Sequence, residues 1–316
     1  MRLFHKQYID IYKLFVEKEN PRGMNFSLLI AQLINGLQTG SVYALVALGY
    51  SMVYGIIKLL NFAHGDIIMV GAYMVYYAIA TFAFPPLVSA LLAVGVSTLL
   101  GVLIEKVAYT PLRSSPRLSL LITAIGVSFL LENGAQLVFG ADQKSMSPMI
   151  PGTFRMGKIM VSMAAVVTIL VSVAIMIALT FVVNKTKAGK AMRAVSEDMG
   201  AAQLMGISLN KTISMTFAIG SALAGIGSVF YLCAYPQASP TMGSMLGIKA
   251  FVAAVLGGIG SIPGAMIGGF MIGVLEAMVA AVGLSMWKDA AVFFILIVVL
   301  LFKPTGFLGK KMQEKV

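Results

Sequence analysis

The sequence predicts an all-α integral membrane protein, a polytopic bundle of about eight or nine transmembrane helices with two Gly-interrupted segments. Three observations lead there. Of the 316 residues, 59% are hydrophobic and 11% charged, against about 25% charged in a soluble chain. The mean hydropathy is +0.92, more apolar surface than one aqueous domain of this size can hide. The apolar residues also fall in runs of roughly 20, the length that crosses a hydrocarbon core as a helix.

In chain order the candidate spans are 26–57, 65–84, 86–109, 118–140, 161–183, 212–235, 246–262, 263–283 and 289–302. The first is long enough to be a bent element crossing twice, and the last is short. Residues 1–23 form a polar amino-terminal extension carrying Arg2, Lys6, Lys13, Lys18 and Arg22. It reads either as a surface-lying amphipathic helix or as sequence ahead of a true start at Met24. Residues 24–303 form the membrane domain and 304–316 a tail. The lone cysteine, Cys233, lies in an apolar run and reads as a packing residue.

The net charge of +11 is not a nucleic-acid footprint, because the basic residues cluster in short loops between spans. Lys185, Lys187, Lys190, Arg193 and Lys211 lie in 184–211, Lys303, Lys310, Lys311 and Lys315 in the tail, and Arg113 and Arg117 in 110–117. Positive loops stay in the cytoplasm, which places the carboxyl terminus and loop 184–211 there, and segments 141–160 and 236–245 outside. With five spans before 184–211, the basic amino end falls outside, a conflict that a doubly crossing 26–57 would remove.

Two breaks interrupt membrane-grade sequence: Asn61, Phe62, Ala63, His64, Gly65 and Asp66, and then Gly257, Gly258, Gly260, Ser261, Pro263 and Gly264. Non-helical backbone at membrane depth survives only inside protein or beside a watery path, and paired interruptions point to a translocation path. Turns at the membrane surface are the plainer alternative. Asp66 is positioned to cap a helix starting near Ile67, and His64 reads as a hydrogen-bonded structural histidine. Glu105, Lys106, Glu132, Lys249, Glu276 and Asp289 lie near span ends, where they snorkel or pair.

Residues 188–210 are rich in helix formers. Ala191, Val195 and Met199 at four-residue spacing, with Ala202 and Met205 nearby, put one apolar stripe on a short helix. Such a helix suits a groove on another protein or the chain's own membrane domain. No phosphate-cradling Gly-x-x-x-x-Gly-Lys-Ser/Thr occurs, since Gly189-Lys190 is followed by Ala191. No metal-ligand cluster or catalytic Ser/His/Asp set stands out, so no catalytic residue, metal or bound cofactor is expected. Any ATP-driven step needs another subunit.

With these residues in view, the chain resembles the permeases of branched-chain amino-acid ABC importers. The resemblance is carried by 40–45, 49–55, Asn61 to Asp66, 105–109, 111–115, 189–207 and 254–265, and runs from about residue 25 to the tail. It implies a multi-pass chain in the bacterial cytoplasmic (inner) membrane and a second homologous permease subunit completing the pore. It further implies two ABC ATPase subunits that use the ATP and a periplasmic or surface-anchored amino-acid-binding protein. It implies that Gly189, Arg193, Glu197, Asp198, Ala201, Ala202 and Gly206 form the ATPase-coupling loop; Gly200 departs from the glutamate frequent in that motif. A related permease for urea or short amides is the rival within the class. An ion-coupled secondary carrier is the rival outside it, and a membrane enzyme is disfavoured for want of a catalytic set.

Overall fold

The computed structural model describes residues 26–58, 61–113, 115–156 and 159–309, so the expectations for 1–23 and for the last residues of the tail lie outside the described residues. Eleven α-helices are present among them: α1 (Phe26–Ile57), α2 (His64–Ala80), α3 (Pro86–Ile104), α4 (Arg117–Phe139), α5 (Met163–Lys185), α6 (Lys187–Glu197), α7 (Met199–Leu204), α8 (Leu209–Ala234), α9 (Met242–Gly257), α10 (Ile262–Ala281) and α11 (Lys288–Phe302). Seven helical stretches, carried by α1, α3, α4, α5, α8, α10 and α11, are long and apolar enough to cross a membrane, and α9 is a shorter apolar helix. The all-α polytopic bundle is therefore observed. Each of the nine predicted spans corresponds to a helix, with ends shifted by a few residues.

Local chemistry explains many of the ends. Pro86 opens α3 and Pro263 lies in the first turn of α10, where proline's missing N–H costs nothing. Gly140, at φ +87°, ends α4. A five-residue π-helical turn, Glu105–Tyr109, continues α3.

α1 is one continuous helix of 32 residues, about 48 Å long. It crosses once, so the doubly crossing alternative for 26–57 is overturned. Nothing within its sequence breaks it, and Gly36 and Gly40 face a partner helix instead. Gly36, Gly40 and Ala44 lie at four-residue spacing against Gly269, Gly273 and Ala277 of α10. An added Cβ on Gly273 would fall 2.2 Å from the Gly40 nitrogen, and one on Gly269 2.4 Å from Ala44 Cα. Without a hydrophobic drive between helices in lipid, such small-residue faces let backbones approach and gain dispersion. α1 is the hub of the fold: its apolar window is 83% buried, whereas that of α11 is 6% buried. The outer faces of α3, α4, α5 and α11 carry exposed Leu, Ile, Val and Phe such as Leu99, Leu130, Leu170 and Leu301, as lipid-facing helices do.

The two ends of the bundle differ. At one end, Ser51 to Ile56 of α1 share a cavity with Met192, Arg193 and Ser196 of α6. Arg113 donates to Asn210 there, and Pro304 to Gly309 lie beside Ser196. The three basic segments named above thus meet at one end. At the other, β1 (Lys144–Ser145) pairs with β4 (Gln237–Ala238), and β2 (Thr153–Met156) with β3 (Ile159–Ser162).

Candidate functional site

The two sequence breaks flank the last turns of α1. Tyr50 meets His64 edge-on at 4.7 Å between ring centroids, and the neighbouring Ser51 hydroxyl accepts from the Gly260 amide at 3.0 Å. Phe251 of α9 lies against both Tyr50 and Phe62. The segment Tyr50 to Gly55 is therefore the physical link between breaks some 190 residues apart in sequence, a distance no local pattern reveals.

At the first break the chain leaves α1, turns, and starts α2 against α9. Asn61 is buried and accepts from the Tyr109 hydroxyl at 2.8 Å, while its Nδ2 has no partner among the described residues. Ala63 is the N-cap residue of α2, and α2 begins at His64. The expectation that Asp66 caps this helix is overturned, because no side chain caps it and the helix starts before Asp66. The Asp66 carboxylate instead accepts from Ser128 of α4 at 2.5 Å, and its place in the first turn still favours negative charge. His64 is buried and hydrogen-bonded to the Val46 backbone, as the structural histidine expected from sequence should be, while its Nε2 faces Gly49 without a partner among the described residues. Gly65 is required by contact: a Cβ there would meet the Gly243 carbonyl at 2.3 Å.

At the second break Gly257 closes α9 and Gly264 packs on it from α10; a Cβ on either would strike the other's carbonyl oxygen within 2.3 Å. Gly258 sits at φ +106°, open to glycine alone at little cost. Several backbone polar groups freed here find partners. Ser261 caps α10 through the Gly264 amide, and Phe307 and Leu308 of the tail donate to the Leu256 and Gly257 carbonyls at 2.8 and 2.9 Å. Gly260 and Pro263 are exposed and Ser261 half-buried. A cavity of about 540 Å³ lies here, lined by Tyr54, Lys58, Ile259, Ser261 and Thr305 among others.

The predicted short helix of 188–210 is two helices. Thr186 caps α6 through the Gly189 amide, and Asp198 caps α7 through the Ala201 amide at 2.9 Å. Asp198 itself is extended, at φ −154°, which breaks the single stripe. Met192 and Val195 of α6 and Ala202 of α7 are buried inward, whereas Ala201, Leu204 and Met205 are exposed, Leu204 at 91%. Gly189 packs on the end of α5, and Arg193 reaches back to Asn184. Glu197 is exposed. Gly206 ends α7 at φ +83°; Gly206 N–H donates to Gln203 and Ile207 N–H to Ala202, the glycine-terminated C-cap of a Schellman motif.

The span-end charges pair within the protein more than they snorkel. Buried Glu105 meets Arg113 and accepts from Ser214 at 2.7 Å. Lys249 of α9 is buried between Glu276 of α10 and Asp289 of α11, 2.7 Å from each, and Glu276 also accepts from the Tyr43 hydroxyl at 2.8 Å. Glu132 accepts from Ser244, and Lys106 is exposed. The sequence showed these charges singly; that three helices bring three of them together needed the fold. Among the described residues no group of three or more His, Cys, Asp or Glu could hold a metal ion.

Residues 32–301 match the family described as "Branched-chain amino acid transport system / permease component". The chain belongs to that permease family. It is 43% identical over 300 residues to the high-affinity branched-chain amino acid transport system permease protein BraD of Pseudomonas aeruginosa, covering 91% of this chain and 98% of the relative. The permease protein LivH of Escherichia coli strain K12, named for the same kind of system, is 41% identical over 305 residues, covering 92% and 99%. A probable LivH of Methanocaldococcus jannaschii is 29% identical over 286 residues, covering 85% and 89%. The family match spans both breaks, α6 and α7, and the Lys249 cluster, so the geometry above belongs to a transport permease and not to an enzyme's catalytic centre.

Proposed function

We propose that this chain forms half of the transmembrane channel of an ATP-driven importer of branched-chain amino acids. It works with a second homologous permease, two ABC ATPase subunits and an external binding protein, and sits in a bacterial cytoplasmic membrane. The relatives named for branched-chain amino acid transport support the substrate class. The gathering of the three basic segments at the α6 end supports a cytoplasmic position for that end, the carboxyl terminus included.

The observation that carries the mechanism is the outward face of α7. Leu204 and Met205 are large, apolar and exposed on a helix fixed at one end by the Asp198 cap and at the other by Gly206, while Ala202 and Val195 anchor the pair to the bundle. This is a rigid apolar knob suited to a groove on a partner. Nucleotide-driven closure of the ATPases moves the knob, and α6 passes the motion to the last turns of α1 through Met192 and Ser196 beside Ser51 to Ile56. Those turns touch both breaks, so Asn61 to Asp66 and Gly257 to Gly264 form the gate that swaps outward for inward access, two packings each biased by a ligand.

The test is uptake of labelled leucine by the reconstituted complex carrying Ala201→Glu, Leu204→Glu or Met205→Glu. Loss of one buried apolar anchor, or burial of a charge, predicts at least about a tenfold fall in uptake and loss of the ATPases on purification. Wild-type uptake and assembly in all three variants would refute the coupling role. Ala202 is left out of this test because it faces inward, and a change there would disturb the permease itself.

A further inference from the structure

At the end of the bundle away from α6, a cavity of about 340 Å³ lies between α1, α8, α10 and Lys288, within the size range of small-molecule sites. Three features of its lining are unusual for a membrane protein. Glu276 lines it, and its only ionic partner among the described residues, Lys249, is shared with Asp289. Two carboxylates share one ammonium, so Lys249 compensates Glu276 only in part, and with Lys288, unpaired among the described residues, the cavity presents one group of each sign. Buried charge is costly unless paired, so a cationic group arriving there completes the set. Gln38 also lines it, 8% exposed, yet its amide makes no hydrogen bond among the described residues. The third feature is Lys288, exposed and without an ion pair among the described residues. The rest of the lining is mixed: Asn35, Thr39 and Tyr235 are polar, while the small Gly273, Ala277 and Ala280 leave room for an aliphatic side chain.

We propose that this cavity is a transit site for a zwitterionic α-amino acid, holding the ammonium against Glu276 and the carboxylate toward Lys288 and the Gln38 amide. The proposal rests on the reading of the chain as an amino-acid permease and names where the substrate first meets it. A neutral amide or a sugar would leave Glu276 only partly paired and Lys288 without a partner, so the site selects for a zwitterion. Asp289 acts as a positioning residue: by sharing Lys249 it keeps Glu276 under-compensated.

The experiment uses the assembled complex of both permeases, the ATPases and the binding protein. In proteoliposomes, Gln38→Leu and Asp289→Asn each lower the maximal rate of leucine uptake about tenfold, the weight of one charge-assisted contact, while the KM for loaded binding protein stays at its wild-type value because docking precedes this site. On the wild-type complex without binding protein, saturation-transfer NMR at millimolar ligand shows contact with leucine and none with 4-methylpentanoate, which lacks the ammonium. Both variants lose the leucine signal. Absence of leucine uptake by the wild-type complex would overturn the permease reading itself. Normal wild-type uptake, with unchanged rates in both variants or with equal NMR signals from leucine and 4-methylpentanoate, would overturn the transit site alone. The wild-type NMR comparison decides the matter even for a variant that fails to assemble.

Discussion

Replacing Gly273 by alanine tests the packing on which the bundle is built. A Cβ at this position would lie 2.2 Å from the nitrogen and 2.3 Å from the Cα of Gly40, and 2.4 Å from the Gly36 oxygen. All three are backbone atoms, so no side chain can swing away. Ordinary contact begins near 3.4 Å, and α1 and α10 must part by about 1 Å to reach it, a gap that forfeits a quarter to a half of each affected dispersion contact. The opening spreads along the ladder to Gly269 against Ala44 and Gly36 against Ala277. We expect a cost of about 2–3 kcal/mol, the upper part of the range for overpacking, seen as a fall of roughly 5–10 °C in the melting midpoint of the detergent-purified chain followed by loss of monodisperse protein. Gly126→Ala and Gly134→Ala in α4 are the controls. Nothing lies within 4 Å of a Cβ at either site, and helix propensity favours alanine by about 0.8–1 kcal/mol, so both should melt at or above the wild type. A Gly273→Ala variant melting with the controls would refute the argument that backbone contact, rather than side-chain burial, joins α1 to α10.

Two further outcomes follow from single contacts. Lys249→Met leaves Glu276 and Asp289 facing each other without a cation, and should destabilise the chain by about 3–5 kcal/mol in the same melting assay; a wild-type midpoint would show that the carboxylates are not held by Lys249. Ser51→Ala removes the acceptor of the Gly260 amide and should cost about 0.5–1.5 kcal/mol, while speeding hydrogen exchange at Gly260 and Ser261. Unchanged exchange there would separate α1 from the second break.

What could be read from the sequence was local. Hydropathy placed nine apolar stretches because a span's length and composition belong to one segment, and the second break was visible because Gly257, Gly258, Gly260, Pro263 and Gly264 are themselves the cause of it. Pairing was not legible. The four-residue spacing of Gly36 and Gly40, and of Gly269 and Gly273, is on the page, but its meaning depends on α1 lying beside α10. Lys249, Glu276 and Asp289 could be suspected of pairing singly, yet only the packing of α9, α10 and α11 shows one cation shared by two acids. Asp66 was misread for a related reason: a cap depends on the first helical residue, which proved to be His64, and Ser128 reaches Asp66 from another helix. The loop of 188–210 was half legible. Its helical character was clear, whereas Asp198, a good N-cap residue in the middle of the stripe, was the overlooked sign that two helices meet there.

The central claim is that this chain carries substrate but takes its energy from partners through α6 and α7. The most direct measurement compares labelled leucine uptake into proteoliposomes holding the complete complex with uptake into proteoliposomes holding this chain alone under an imposed proton or sodium gradient. The account predicts uptake by the complex only when ATP and loaded binding protein are both supplied, and none by the lone chain under either gradient. Gradient-driven accumulation of leucine by the chain alone, without ATP, would contradict it.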